Sequence, residues 1–126
     1  MRATRSFEPQ PDQVVAARHF VAEVLAGAGH AVGDIPLLVS ELATNAVLHA
    51  RSDFLITVEV EQDGPGRVRV EVSDRNSRLP SFAAVKPDAY SGRGLMLVQT
   101  LSAAWGVDAH AEEGKTIWFE VHDSAG

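Results

Sequence analysis

The stretch Glu41-Leu42-Ala43-Thr44-Asn45-Ala46-Val47-Leu48-His49-Ala50 repeats a carboxylate, an amide and an imidazole at every fourth position of an otherwise apolar run. Four residues of α-helix turn the chain by about 400°, so Glu41, Asn45 and His49 form one slowly drifting polar stripe. Leu38, Leu42, Ala43, Ala46, Val47 and Ala50 fill much of the remaining circumference, which predicts a largely buried helix. A carboxylate and an amide on such a helix must either be satisfied internally or line a cavity that holds something polar.

Working outward, this helix is expected to begin at Asp34 as N-cap, with Pro36 in the first turn, and to run to His49 or Ala50. Upstream, residues 2–8 alternate as a short strand that ends at Pro9-Gln10-Pro11. Asp12 is then expected to cap a helix whose period is carried by Val14, Val15, Ala17, Phe20, Val21, Val24 and Leu25, and which Gly27 and Gly29 end. Downstream, FLITVEVEQ (54–62), a turn at Asp63-Gly64-Pro65-Gly66 and RVRVEVS (67–73) give the clearest β-hairpin signal in the chain. Its inward set is Val68, Val70 and Val72 opposite Leu55 or Ile56, Val58 and Val60, with charged residues on the other face.

At Asp74 the alternation stops, and residues 75–91 carry two prolines and mixed charge without a sustained period. Loops longer than about 12 to 15 residues are uncommon in compact domains and tend to be functional or disordered. Gly92-Arg93-Gly94 then leads into Leu95-Met96-Leu97-Val98-Gln99-Thr100-Leu101, a helical run without a breaker. A glycine turn at a helix N-terminus suits phosphate, through free N–H groups and the helix dipole. By itself a pair of glycines fits a plain loop-to-helix junction equally well. Residues 105–110 and 115–121 read as two further strands around Glu112-Glu113-Gly114, with Trp118 or Phe119 in the core. The order β-α-α-β-β-loop-α-β-β favours an α/β (α+β) two-layer sandwich, with a mixed, mostly antiparallel sheet covered on one face by about three helices.

The 126 residues predict a single domain over 1–126. A formal charge of −6 argues against non-specific binding to nucleic acid or to an anionic membrane, both of which require charge neutralisation. Without cysteine there are no disulfides, thiolate metal sites or Cys nucleophiles, which fits the cytoplasm. No signal-peptide core precedes Phe7, and no apolar run approaches the roughly 18 to 20 residues of a membrane span.

Three stretches resemble, in the right order, the nucleotide-binding boxes of the Bergerat-fold (GHKL) ATPases, the superfamily of gyrase, heat-shock 90 chaperones and sensor histidine kinases. The helix with Glu41 and Asn45 resembles the N-box, Asp74 at a strand end the first glycine-box aspartate, and Gly92-Arg93-Gly94-Leu95 the second glycine box. SELATNAVLHA (40–50), VSD (72–74) followed by RLP (78–80), GRGLMLVQTLSAAWGV (92–107) and GKTIWFEV (114–121) are similar to the anti-sigma-factor serine kinases and their small relatives. The resemblance covers most of residues 35–121. One departure is that Asp74 is followed by Arg75-Asn76-Ser77-Arg78-Leu79-Pro80 rather than by the superfamily's Asp-x-Gly-x-Gly, as is frequent in that branch.

The resemblance implies ATP and Mg²⁺ as ligands. Asn45 would be the metal ligand through its side-chain carbonyl, a hard oxygen of the kind Mg²⁺ prefers. Glu41 would orient or deprotonate the attacking hydroxyl. Asp74 would accept a hydrogen bond from the adenine 6-amino group, with Thr116 supporting that contact. Gly92 and Gly94, together with Arg93 and Leu95, would form the phosphate-binding turn, and residues from about 75 to 94 the lid over ATP. His49 reads equally well as a structural histidine at a helix end.

The implied function is an ATP-dependent protein serine/threonine kinase of the anti-sigma-factor type, phosphorylating a small anti-sigma-antagonist protein and holding a sigma factor inactive. The implied state is a cytoplasmic protein, with a homodimer as one arrangement. The competing readings are a catalytically silent, nucleotide-dependent binding module and a stand-alone histidine-kinase-like ATPase domain.

Overall fold

The computed structural model describes residues 1–61, 66–75, 90–110 and 113–122, without the side chains of residues 90–95. The expected hairpin turn, apart from Gly66, and the lid over residues 76–89 lie outside the described residues.

Strand β1, Arg2–Phe7, ends before the prolines, and helix α1, Pro11–Gly27, starts with Pro11 in its first turn, where the missing N–H costs nothing. The N-cap position falls on Gln10 and no side chain caps the helix. Asp12 is therefore not the cap; it lies in the first turn, where a negative charge complements the helix dipole. Ala17, Phe20, Val21 and Leu25 are buried, at the spacing of one helical face.

Helix α2, Ile35–Asn45, buries Ile35, Leu38, Val39, Glu41, Leu42 and Ala43. Asp34 occupies its N-cap position without a side-chain cap bond, and its carbonyl accepts the N–H of Leu38 at 3.1 Å. The expected run to Ala50 continues as a π-helical turn over Ala46–Ala50, closed by the Arg51 N–H on the Ala46 carbonyl at 2.9 Å. Arg51 then stops the helix in the left-handed region, at φ 54°.

The remaining elements are β2 (Phe54–Val60), β3 (Arg67–Asp74), α3 (Tyr90–Leu101), β4 (Ala104–Ala109) and β5 (Lys115–His122). The five strands form one sheet in the order β1-β2-β3-β5-β4. Among the described residues every pairing is antiparallel, where the sequence predicts a mixed, mostly antiparallel sheet. The order places β3, and hence Asp74, at the centre with β5 beside it.

Alternation divides the sheet into two faces. Phe54, Ile56, Val58 and Val60 of β2, Val68, Val70 and Val72 of β3, and Ile117 and Phe119 of β5 are buried in one core with α1 and α2. Ile56 rather than Leu55 belongs to this inward set, since Leu55 is 44% exposed. Burying such side chains contributes roughly 1.5–3 kcal/mol each, so the sheet position of Asp74 is held by its apolar neighbours.

The other face is polar. Thr4 and Thr57 share a hydrogen bond of 3.0 Å, and Arg69 donates to Glu71 and Glu120 at 3.1 and 3.2 Å. Burial works against the Arg69 charge, but the two carboxylates outweigh it and raise the guanidinium pKa. Phe119 is core, whereas Trp118 lies on this outer face with the Arg69 guanidinium 4.2 Å from its ring centroid. Gly106 lies against the same ring, where a Cβ would come within 2.8 Å of the indole.

Candidate functional site

Glu41 is only 7% exposed although it bears a carboxyl group, and one turn later Asn45, the last α-helical residue of α2, is half-buried. The helix changes to i→i+5 bonding immediately after Asn45, a local widening that recurs at functional sites. The polar stripe consequently runs outward, from buried Glu41 through half-buried Asn45 to exposed His49.

The second side is the end of β3. The backbone N–H of Arg75, next to Asp74, donates to the Ser52 hydroxyl at 3.0 Å. Ser52 lies just beyond the π-helical turn, so the exit of the Glu41–Asn45 helix is tied to the residue following Asp74. From the sequence Ser52 reads only as an exposed helix exit, whereas in the structure its hydroxyl joins that exit to the end of β3.

Asp74 lies on the helix-covered face, in line with Val70 and Val72. Its carboxylate meets the ammonium of Lys115 at 3.0 Å, and the two side chains are only 6% and 9% exposed. Lys115 is its cross-strand partner in the register. Gly114 adopts φ +120°, and a Cβ there would stand 1.9 Å from the Asp74 carbonyl oxygen. Only glycine permits this approach, which locks the start of β5 against the end of β3.

Thr116 is placed otherwise than expected. It pairs with Ser73, and its hydroxyl lies 2.7 Å from the Ser73 hydroxyl and 2.8 Å from His110 Nε2. Alternation puts this cluster on the sheet face opposite the Asp74 carboxylate. The side chain that supports Asp74 is Lys115, one residue earlier. A signal for it was available: Lys115 shares the parity of Ile117 and Phe119, so a strand that buries those two also points its lysine inward.

Gly92, Arg93, Gly94 and Leu95 lie on the first two turns of α3, which begins at Tyr90 rather than after a glycine turn. Glycine lowers helix stability by about 1 kcal/mol but does not stop a helix as proline does, so the run extends back through both glycines. Only first-turn N–H groups escape the helical ladder, which places the Gly92 amide better for an anion than that of Gly94. The side chains of Arg93 and Leu95 lie outside the described residues.

Among the described residues no group of three or more His, Asp or Glu is arranged to hold a metal ion. The donor set here is one half-buried amide oxygen, Asn45, beside a buried carboxylate, Glu41. It fits a hard cation that takes most of its ligands from phosphate oxygens and water, as Mg²⁺ does.

A family model described as the histidine kinase-like ATPase domain matches residues 7–121, which includes every box of the site. The chain belongs to the histidine kinase-like ATPase domain family. It is similar in structure to the histidine kinase domain of the blue-light activated histidine kinase EL346 from Erythrobacter litoralis, at a TM-score of 0.52 and 26% identity. That likeness covers 74% of this chain and 45% of the other, so the chain spans less than half the length of that structure. No curated protein sequence matches it. Domains of this family bind ATP, typically with Mg²⁺. Asn45 ends α2, Glu41 lies one turn earlier, and the Arg75–Ser52 hydrogen bond joins the exit of that helix to the end of β3 that carries Asp74. No described helix is long and apolar enough to cross a membrane.

Proposed function

We propose that this histidine kinase-like domain is an ATP-dependent protein serine/threonine kinase of the anti-sigma-factor type. Its substrate is a serine or threonine hydroxyl on a small anti-sigma-antagonist protein. Its second partner is a sigma factor held inactive by binding, and it works in the cytoplasm, with a homodimer as one assembly. The observation that supports the reading is the pairing of a buried Glu41 with a half-buried Asn45 one helical turn later, at the α2 exit that Ser52 ties to the end of β3.

Bound Mg·ATP supplies the transferable phosphoryl group. Phosphoryl transfer asks mainly for positioning and charge neutralisation, and these residues offer both. Asn45 would hold the ion through its amide oxygen, and Asp74 would accept from the 6-amino group of adenine. The first-turn amides of α3 would face phosphate oxygens. Glu41, buried and on the same stripe, is suited to accept the proton of the incoming hydroxyl and orient it. Burial keeps competing water from the carboxylate.

The test is transfer of label from γ-labelled ATP to the antagonist protein, with Glu41→Gln beside the wild type. Acid-stable label on serine or threonine that depends on Glu41 supports the kinase. No transfer by the wild type, or equal transfer by the variant, contradicts it. A second reading, the ATP-binding part of a histidine kinase system, draws support from the likeness to the Erythrobacter litoralis histidine kinase domain. Acid-labile label, characteristic of phosphohistidine, would favour that reading. A catalytically silent binding module would bind nucleotide without transferring label to either acceptor.

A further inference from the structure

Lys115 places a positive charge on the core-facing side of β5, in the alternation that continues with buried Ile117 and Phe119. Its Nζ lies 3.1 Å from one oxygen of Asp74 and 3.0 Å from the other, so a donor and an acceptor stand side by side at the adjoining ends of two paired strands. The juxtaposition is rigid: Gly114 packs its Cα onto the Asp74 backbone, and its carbonyl accepts the His110 N–H at 2.8 Å.

We propose that Lys115 is a nucleobase-reading residue, donating to N1 of adenine while Asp74 accepts from the neighbouring 6-amino group. This rests on the reading of Asp74 as the adenine acceptor and deepens it from one contact to two. An ammonium carries three N–H donors and no acceptor, and an ionised carboxylate accepts only. The edge of adenine offers the complement, an amino donor beside a ring-nitrogen acceptor. Guanine and hypoxanthine offer a carbonyl oxygen beside N1–H, so in the same orientation the carboxylate meets an oxygen and the ammonium meets a hydrogen. Selection thus comes from two repulsive mismatches as well as two attractive contacts. Lys115 is not a catalytic residue; it positions and selects the base.

The competing, purely structural role for Lys115 is to neutralise Asp74 without touching the base. Calorimetry with ATP and 1-deaza-ATP, in which N1 is replaced by C–H, separates the two. The wild type is expected to bind 1-deaza-ATP about tenfold or more weakly than ATP, because a site built to donate to an acceptor rejects the analogue lacking it. Lys115→Met is expected to lose that discrimination. Equal wild-type affinity for the two nucleotides overturns the role of Lys115 and leaves the ATP site standing, as does a folded Lys115→Met that still discriminates. Failure of the wild type to bind ATP overturns the reading of the whole site. The wild-type comparison needs no variant, so it can overturn the role of Lys115 even if Lys115→Met does not fold.

Discussion

The Ser52 hydroxyl accepts the backbone N–H of Arg75 at 3.0 Å and so joins the exit of the helix that carries Glu41 and Asn45 to the strand end that carries Asp74. The same two segments are also linked through β2, which starts at Phe54 and pairs Leu55 with Ser73 of β3. The bond helps fix the α2 exit against the end of β3, between the proposed metal and base sides of the site. Ser52→Ala is expected to lower stability by about 0.5–1.5 kcal/mol and to weaken ATP binding beyond that loss. Urea denaturation and calorimetry on the same preparation separate the two effects.

Gly114 and Gly106 give a ranked pair. At Gly114 an added Cβ meets the Asp74 backbone at 1.9 Å in a left-handed conformation, whereas at Gly106 it meets the Trp118 side chain at 2.8 Å. Gly114→Ala is expected to cost several kcal/mol, on the order of the largest single-site effects. Gly106→Ala is expected to cost about 1–3 kcal/mol, the usual range for overpacking against a side chain that can shift. Denaturant midpoints that reverse this order would count against the close approach of β5 to the end of β3.

Glu41→Gln keeps the shape of a 7%-exposed side chain and removes its proton-accepting charge. Phosphotransfer is expected to fall roughly 10²–10⁴-fold, with ATP affinity little changed. Single-turnover transfer and equilibrium binding check the two halves separately. A matching loss in both would make Glu41 a structural carboxylate.

Asn45→Ala is expected to act through the ion. Nucleotide affinity should drop in the presence of Mg²⁺ and stay near the wild-type value in its absence, since the proposed role of the amide oxygen is to hold the cation and not the base. Paired titrations with and without Mg²⁺ show this directly. A loss of equal size in both conditions would assign Asn45 to packing.

Much of the fold was legible because it rests on periodicity. The hairpin of β2 and β3 and the apolar faces of α1 and α2 follow from alternation and helical spacing. What escaped depends on contacts made after the chain has folded. The π-helical turn after Asn45 leaves no mark in residue type, since Ala46, Val47 and Leu48 suit an ordinary helix equally well. Asp12 and Asp34 have the right identity for caps, yet neither side chain makes the cap bond. The role of Thr116 beside Asp74 came from the family resemblance, whereas the one-residue parity of β5 turns its side chain to the outer face and brings Lys115 to Asp74. Helix α3 reaches back over two glycines because a glycine weakens a helix without ending it.

Isothermal calorimetry with ATP, ADP and GTP on the wild type and Asp74→Asn tests the central claim most directly. The wild type should bind ATP and ADP and discriminate strongly against GTP, and Asp74→Asn, checked for folding by circular dichroism, should lose most of that adenine affinity. Absence of ATP binding by the wild type, or equal affinity for ATP and GTP, would contradict the account.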